Sequence, residues 1–179
     1  MQTKLNLISE FAKRDEKSRL DNLAYLLSEE NLSECFGMLK KGKAAGIDGT
    51  SVEEYGNNLG SNLKNLVTRM KSQSYRPQPV RRTYIAKANG KLRPLGIPAV
   101  EDKIVQRGIA RVLEAIYEVD FLDFSYGFRP HRSCHHALKR LNQVIMTQPI
   151  NHIIDADIKG FFDCVDHEWL MRFLGVRIS

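Results

Sequence analysis

Carboxylates are missing from one long stretch of this sequence. From Tyr55 to Val100 the chain has no Asp or Glu in 46 consecutive residues. Nine basic residues fall in the same stretch: Lys64, Arg69, Lys71, Arg76, Arg81, Arg82, Lys87, Lys91 and Arg93. The rest of the chain holds 18 basic against 21 acidic residues, so the net charge of +6 is concentrated in this quarter of the molecule. Such a stretch is either a solvated basic face kept for solubility or a surface for the phosphates of nucleic acid or nucleotide. Other absences narrow the class. There are three cysteines, Cys35, Cys134 and Cys164, and no CxxC pair, which argues against a disulfide scaffold or a zinc ribbon. No run approaches the ~18 apolar residues of a membrane span. The start, MQTKLNLISEFAKRDEK, has no apolar signal-peptide segment, so a cytoplasmic chain without a membrane partner is expected. With 179 residues, 42% hydrophobic and 27% charged, the composition is that of a globular chain of one to one and a half domains.

What is present reads as α+β. Residues 4–41 suggest two helical pieces, with one apolar stripe at Leu20, Leu23, Leu26 and Leu27 and another at Leu32, Cys35, Phe36 and Leu39. Ser28, Glu29 and Glu30 supply a cap and an acidic first turn. GKAAGIDG, Gly42 to Gly49, is a turn-rich loop. Thr50 or Ser51 caps the next helical region, whose later part carries Leu59, Leu63, Leu66, Val67 and Met70. Pro77 and Pro79 end the helices. A hairpin follows, Val80 to Lys87 and Lys91 to Ile97, turning at Asn89-Gly90. Arg81, Thr83, Ile85 and Lys87 share one face of its first strand. A long helix is expected from about Val100 to Val119, with a basic stripe at Lys103, Arg107 and Arg111. Ser133 caps a further helix, and a short one starts near His167.

Residues 152–158, HIIDADI, alternate as a strand with Asp155 and Asp157 on one face. Aspartate is disfavoured inside strands, so this pair needs solvent, a capping role or a cation. A hard cation such as Mg²⁺ takes carboxylate oxygens of this kind together with phosphate and water. Asp163, Asp166 and Glu168 add to the acidity. His131, Cys134 and His135 have helical spacing for zinc, but no fourth ligand lies close by and zinc is not expected there.

DADIKGFFDCVDH, Asp155 to His167, resembles the first palm motif of reverse transcriptases of the maturase type encoded by bacterial group II introns. Four preceding segments resemble the same family in the same order. They are GKAAGIDG (an N-terminal extension loop), SYRPQPVRRTYIAKANGKLRPLGIP (the fingers hairpin), EDKIVQRGIARVLEAIYE (the helix after it) and SYGFRPHRSCHHAL (a template-proximal segment). The resemblance implies right-hand polymerase fingers, with a β-hairpin and several helices, plus the opening strand of the palm. Residues 1–45 would be a helical extension, 46–150 the fingers and 151–179 the first palm segment.

The same resemblance implies an RNA-directed DNA polymerase that binds template RNA, a primer or DNA strand, and an incoming dNTP. Asp157 would be a catalytic carboxylate. With the backbone carbonyl of Ile158 it would hold Mg²⁺ in a two-metal site whose ions sit roughly 4 Å apart. Gly160 and Phe161 would face the triphosphate through their amides, and Phe162 would lie under the sugar as a steric gate. Arg81 and Lys87 would contact the triphosphate, and Tyr126, Arg129 and Arg132 the template. Asp155 belongs to the motif, with a structural hydrogen-bonding role as its other reading. The family's Tyr-x-Asp-Asp and Gln-Gly motifs are missing, because the sequence contains no Asp-Asp and no Gln-Gly dipeptide. A thumb and the rest of the palm are not expected within these 179 residues. The expected state is therefore the N-terminal portion of a reverse transcriptase, inactive alone, with an incomplete metal site. Two alternatives stand beside it. One is a non-catalytic module that binds intron RNA and assists its folding. The other is a remnant that pairs with itself as a homodimer, or with a complementing C-terminal chain, through apolar surface.

Overall fold

The computed structural model describes residues 2–15, 18–86, 88 and 90–179. Among them are seven helices and one two-stranded antiparallel sheet, an α+β chain. In order these are α1 (Gln2–Arg14), α2 (Glu29–Gly37), α3 (Val52–Asn57), α4 (Leu59–Lys71), β1 (Arg81–Ala86), β2 (Leu92–Ile97), α5 (Val100–Tyr117), α6 (Cys134–Thr147) and α7 (His167–Leu174). No helix among the described residues is long and apolar enough to cross a membrane.

The helix starts follow side-chain chemistry. Ser28 accepts from the Asn31 amide at α2 and Ser133 from the His136 amide at α6. At α3 the cap is Ser51, not Thr50: its hydroxyl accepts from Glu54 N at 3.1 Å and its own amide donates to Glu54 Oε2 at 2.7 Å. This is a capping box. The Ser51 amide, and after it the Ser51 hydroxyl, hold the Glu54 carboxyl below the usual carboxylate range. Asp166 caps α7 by accepting from the amides of Glu168 and Trp169.

The chain packs as two compact units, Met1–Leu5 with Asn22–Glu114 and Asn6–Asp21 with Ala115–Ser179. The first has an apolar core of Leu32, Cys35, Val52, Tyr55, Leu63, Leu66, Val67, Val100, Ile104 and Val105. The α2 and α4 stripes face into it, as their spacing predicts. In the glycine-rich loop, Gly46 lies against the backbone of the residues leading into α5. A Cβ there would sit 2.5 Å from Ala99 Cα. Gly46→Ala is expected to force the loop away at a cost of about 2 kcal/mol, read as a lowered urea midpoint with an unchanged slope.

The second unit is tied together largely by arginine. Arg177, 2% exposed, donates to the carbonyls of Ala12 (2.9 Å) and Asp15 (3.2 Å) at the C-terminal end of α1. Its Nε lies 3.4 Å from Asp120 Oδ2. A cation is favoured at these carbonyls because the helix dipole is negative there. Neither α6 nor α7 buries a residue completely.

Three expectations need correction. The Leu20–Leu27 stripe is not an α-helix. Only a five-residue 3₁₀ turn, Leu23–Leu27, forms, between a left-handed Asn22 and the extended cap Ser28. The basic stripe on α5 is divided by its packing. Arg111 is 9% exposed and paired with Glu34 at 3.2 Å, and Lys103 Nζ donates to the Ala44 carbonyl. Residues 151–158 form no strand. A strand exists only by pairing, and the described residues offer 151–158 no partner. The opening strand of a palm is thus not seen in this segment.

Candidate functional site

The hairpin pairs Arg81 with Ile97, Thr83 with Leu95 and Ile85 with Arg93. Residues opposite each other in an antiparallel pair share a face. Arg81 and Arg93 therefore lie on one side at opposite ends, while Arg82 and Tyr84 lie on the other. All four of these side chains are exposed. No carboxylate among the described residues pairs with Arg81, Arg82 or Arg93. Gly90 turns with φ +75. Lys87 and Asn89, expected as a triphosphate contact and a turn residue, lie outside the described residues.

The carboxylates that border this basic stretch are all engaged. Glu53 accepts from the Gly42 amide, and Glu54 closes the capping box. Glu101 accepts from Arg69 at 2.6 Å and from the Tyr55 hydroxyl at 3.5 Å. Asp102, 2% exposed, accepts from the Tyr75 hydroxyl at 2.5 Å and the Gln78 amide at 3.0 Å. Burial, then the neighbouring carboxylates, push both tyrosine hydroxyls well above their usual range. They stay protonated and can only donate to Glu101 and Asp102. Among the described residues, Arg81, Arg82 and Arg93 keep their positive field without an ion pair.

Residues 118–133 of the second unit hold the expected template group. Arg129, with a side chain 6% exposed, turns inward. Its Nε and Nη2 donate to Glu118 at 2.8–3.3 Å, and its Nη1 donates to the carbonyls of Leu122 (2.8 Å) and Ser125 (2.9 Å). The guanidinium also lies 5.0 Å from the Phe121 ring centre. Arg132 donates to the Asp123 backbone carbonyl and covers the Tyr126 ring at 5.3 Å. This loop leaves Phe121, Leu122, Phe124 and Phe128 exposed together with the Asp123 carboxylate.

Residues 151–164 are exposed throughout. Asp155, Asp157 and Ile158 lie in this extended segment. Gly160 follows with φ +64, and its carbonyl accepts from the amides of Asp163 and Cys164. Phe161 and Phe162 meet edge to face at 5.2 Å. They line an apolar hollow of about 600 Å³ with Trp169, Leu170 and Phe173. Oxygen donors such as Asp157 suit Mg²⁺ by type. By number they fall short, since no group of three His, Cys, Asp or Glu able to hold a metal occurs among the described residues.

Two features escaped the sequence reading. One is the inward role of Arg129 and Asp102. The other is a second stretch without carboxylates, Phe124 to Ile154, which carries Arg129, Arg132, Lys139, Arg140 and four histidines. The count that exposed the first stretch would have found it.

The chain belongs to the reverse transcriptase (RNA-dependent DNA polymerase) family, whose sequence model matches residues 85–177, just over half of its length. It is 39% identical to Protein YkfC of Escherichia coli (strain K12), across 100% of this chain and 48% of that protein. It is 45% identical to the Group II intron-encoded protein LtrA of Lactococcus lactis subsp. cremoris, across 65% of this chain and 19% of LtrA. It is also 36% identical to an uncharacterized 91 kDa protein in a cob intron of Schizosaccharomyces pombe, across 87% of this chain and 18% of that protein. The chain thus spans about half the length of the first relative and about a fifth of the other two.

Proposed function

We propose that the chain serves RNA-directed DNA synthesis as the fingers and the first palm segment of a reverse transcriptase. Residues 1–45 are its helical extension, 46–150 the fingers and 151–179 the first palm part. The observation that carries this reading is the family match over residues 85–177, which runs from the exposed, carboxylate-free hairpin through Asp157. Arg81 and Lys87 take the triphosphate of the incoming dNTP. Gly160 and Phe161 offer amides to the same group, and Phe162 limits the sugar. Tyr126, Arg129 and Arg132 belong to the part that meets the template. Asp157 and the Ile158 carbonyl are two of the donors for Mg²⁺, which when bound stabilises the attacking and leaving oxygens. The remaining donors are not among the described residues, so no chemical step is assigned to this chain alone.

The 179-residue chain is expected to bind single-stranded RNA with a log–log salt slope of about −0.7 per phosphate contacted, measured by fluorescence anisotropy. In a primer-extension assay it is expected to give no product. Binding that ignores salt would remove the phosphate role of the basic stretch, and measurable synthesis would show that the metal site is complete.

A second reading draws on the relative named as a group II intron-encoded protein. In it the basic stretch and the helical extension hold intron RNA and assist its folding, without synthesis. Preference for structured intron RNA over an unstructured oligonucleotide of equal length would favour it.

A further inference from the structure

Helix α7 is fixed at both ends and left open between them. Asp166 caps its start, and the Tyr117 hydroxyl donates to the Leu174 carbonyl at its end, at 2.9 Å. Between these anchors α7 buries no residue. Trp169, Leu170, Met171 and Phe173 are all exposed, although a helix side this apolar is normally packed. The hollow of about 600 Å³ beside it is lined by the same face and by Phe161 and Phe162.

Contiguous apolar surface of this kind marks an interaction site, and charge selects what covers it. Helix α6 has a comparable exposed stripe, Leu138, Leu141 and Ile145, but its charged residues, Lys139 and Arg140, are of one sign. Two copies joined there would set cation against cation. Helix α7 differs. Its two charged residues, Glu168 and Arg172, lie on one flank, a turn apart and each two positions from Leu170. Within the chain they meet only at 4.0 Å, and both are well exposed. Arg172 also leans on the Trp169 ring, 4.8 Å from its centre. A two-fold axis at Leu170 that relates antiparallel helices brings Glu168 of each copy opposite Arg172 of the other. Parallel helices would instead put Glu168 against Glu168 and Arg172 against Arg172. Flank charges set the orientation of paired helices in this way. A two-fold contact needs one self-complementary patch, and α7 supplies it.

We propose that α7 is the centre of a homodimer interface, formed with α7 of a second copy across a two-fold axis near Leu170. The apolar face and the hollow close against their counterparts, and two Glu168–Arg172 pairs cross between the copies.

Trp169 is the single tryptophan of the chain, so its emission reports this interface. The test follows the whole 179-residue chain by analytical ultracentrifugation and tryptophan fluorescence from about 1 to about 100 µM, the range of weak dimers. Dimers are expected at the upper end, with emission moving to shorter wavelength in step with the dimer fraction. Leu170→Glu sets like charges at the axis and is expected to weaken association about a hundredfold. Glu168→Arg and Arg172→Glu are each expected to weaken it about tenfold, because both crossing pairs become like-charged. Mixing these two variants sets a basic flank against an acidic one and is expected to restore association, as a heterodimer. Pairing within one helix cannot restore it, since each variant has lost that pair. All three positions are exposed, so circular dichroism should stay that of the wild type. A chain that remains monomeric throughout overturns the proposal and leaves α7 to a different polypeptide. A dimer that ignores Leu170→Glu, with Trp169 emission unchanged, also overturns it and places the contact elsewhere. Failure of the mixed variants to associate, with the wild type dimeric, overturns the antiparallel two-fold.

Discussion

Arg129→Lys is expected to loosen the loop from Val119 to Arg132 while leaving the first unit intact. Arginine reaches three places at once there: the Glu118 carboxylate and the carbonyls of Leu122 and Ser125. Lysine brings a single nitrogen and cannot span them. Hydrogen bonds to charged groups contribute about 1.5–3 kcal/mol each. Glu118 and the carbonyls regain water when released, which offsets part of that, so a net loss of roughly 2–3 kcal/mol is expected. In hydrogen exchange this appears as protection lowered by about 30–150-fold across the loop, with amides of α2, α4 and the start of α5 unchanged. RNA affinity should fall through disorder of the loop, with an unchanged salt slope. The opposite pattern, unchanged exchange with a salt slope smaller by about one contact, would make Arg129 a direct phosphate ligand and remove its clamping role.

How much of this was legible in the sequence depends on whether local or tertiary physics sets each feature. Caps are local. Ser28, Ser51 and Ser133 each satisfy an amide within three residues, so the starts of α2, α3 and α6 could be read directly. The Leu63, Leu66 and Val67 stripe and the hairpin are nearly as local, one from helical period and the other from an alternating pair of segments about a turn. The segment HIIDADI fails this test. Its alternation suits a strand, but pairing requires a neighbour, and composition does not say where a neighbour lies. Arginine is the other case. A guanidinium in a loop with tyrosine and phenylalanine looks the same on paper whether it faces solvent or folds back on a carboxylate eleven residues away, as Arg129 does. Arg111 and Arg177 are buried for the same kind of reason: each meets oxygens that are distant in the chain. The order of the motifs was therefore legible, while which arginines fold back on distant oxygens was not.

The hairpin poses the second case, because two strands alone are marginally stable in water. Its β2 strand runs directly into α5 through Pro98 and Ala99, so that end is anchored covalently. The β1 end has no such anchor, and Asp102 supplies it. From the first turn of α5 its carboxylate accepts from Tyr75 and Gln78, in the segment that leaves α4 and feeds β1. Asp102→Ala is expected to take the shared acceptor from the Tyr75 hydroxyl and the Gln78 amide at a half-buried site. The expected cost is about 2–3 kcal/mol, a fall in melting temperature of roughly 6–10 °C for a chain of this size. Tyr75→Phe removes one donor and leaves the other bond in place, so it should cost about 1 kcal/mol. The two substitutions should be non-additive, since each removes the same bond. In a complete enzyme, Asp102→Ala should raise the dNTP requirement even at temperatures where the protein is folded, because Arg81 is carried on the strand that has lost its anchor. If Asp102→Ala costs no more than Tyr75→Phe and leaves the dNTP requirement unchanged, the hairpin is held by its turn and by β2 alone.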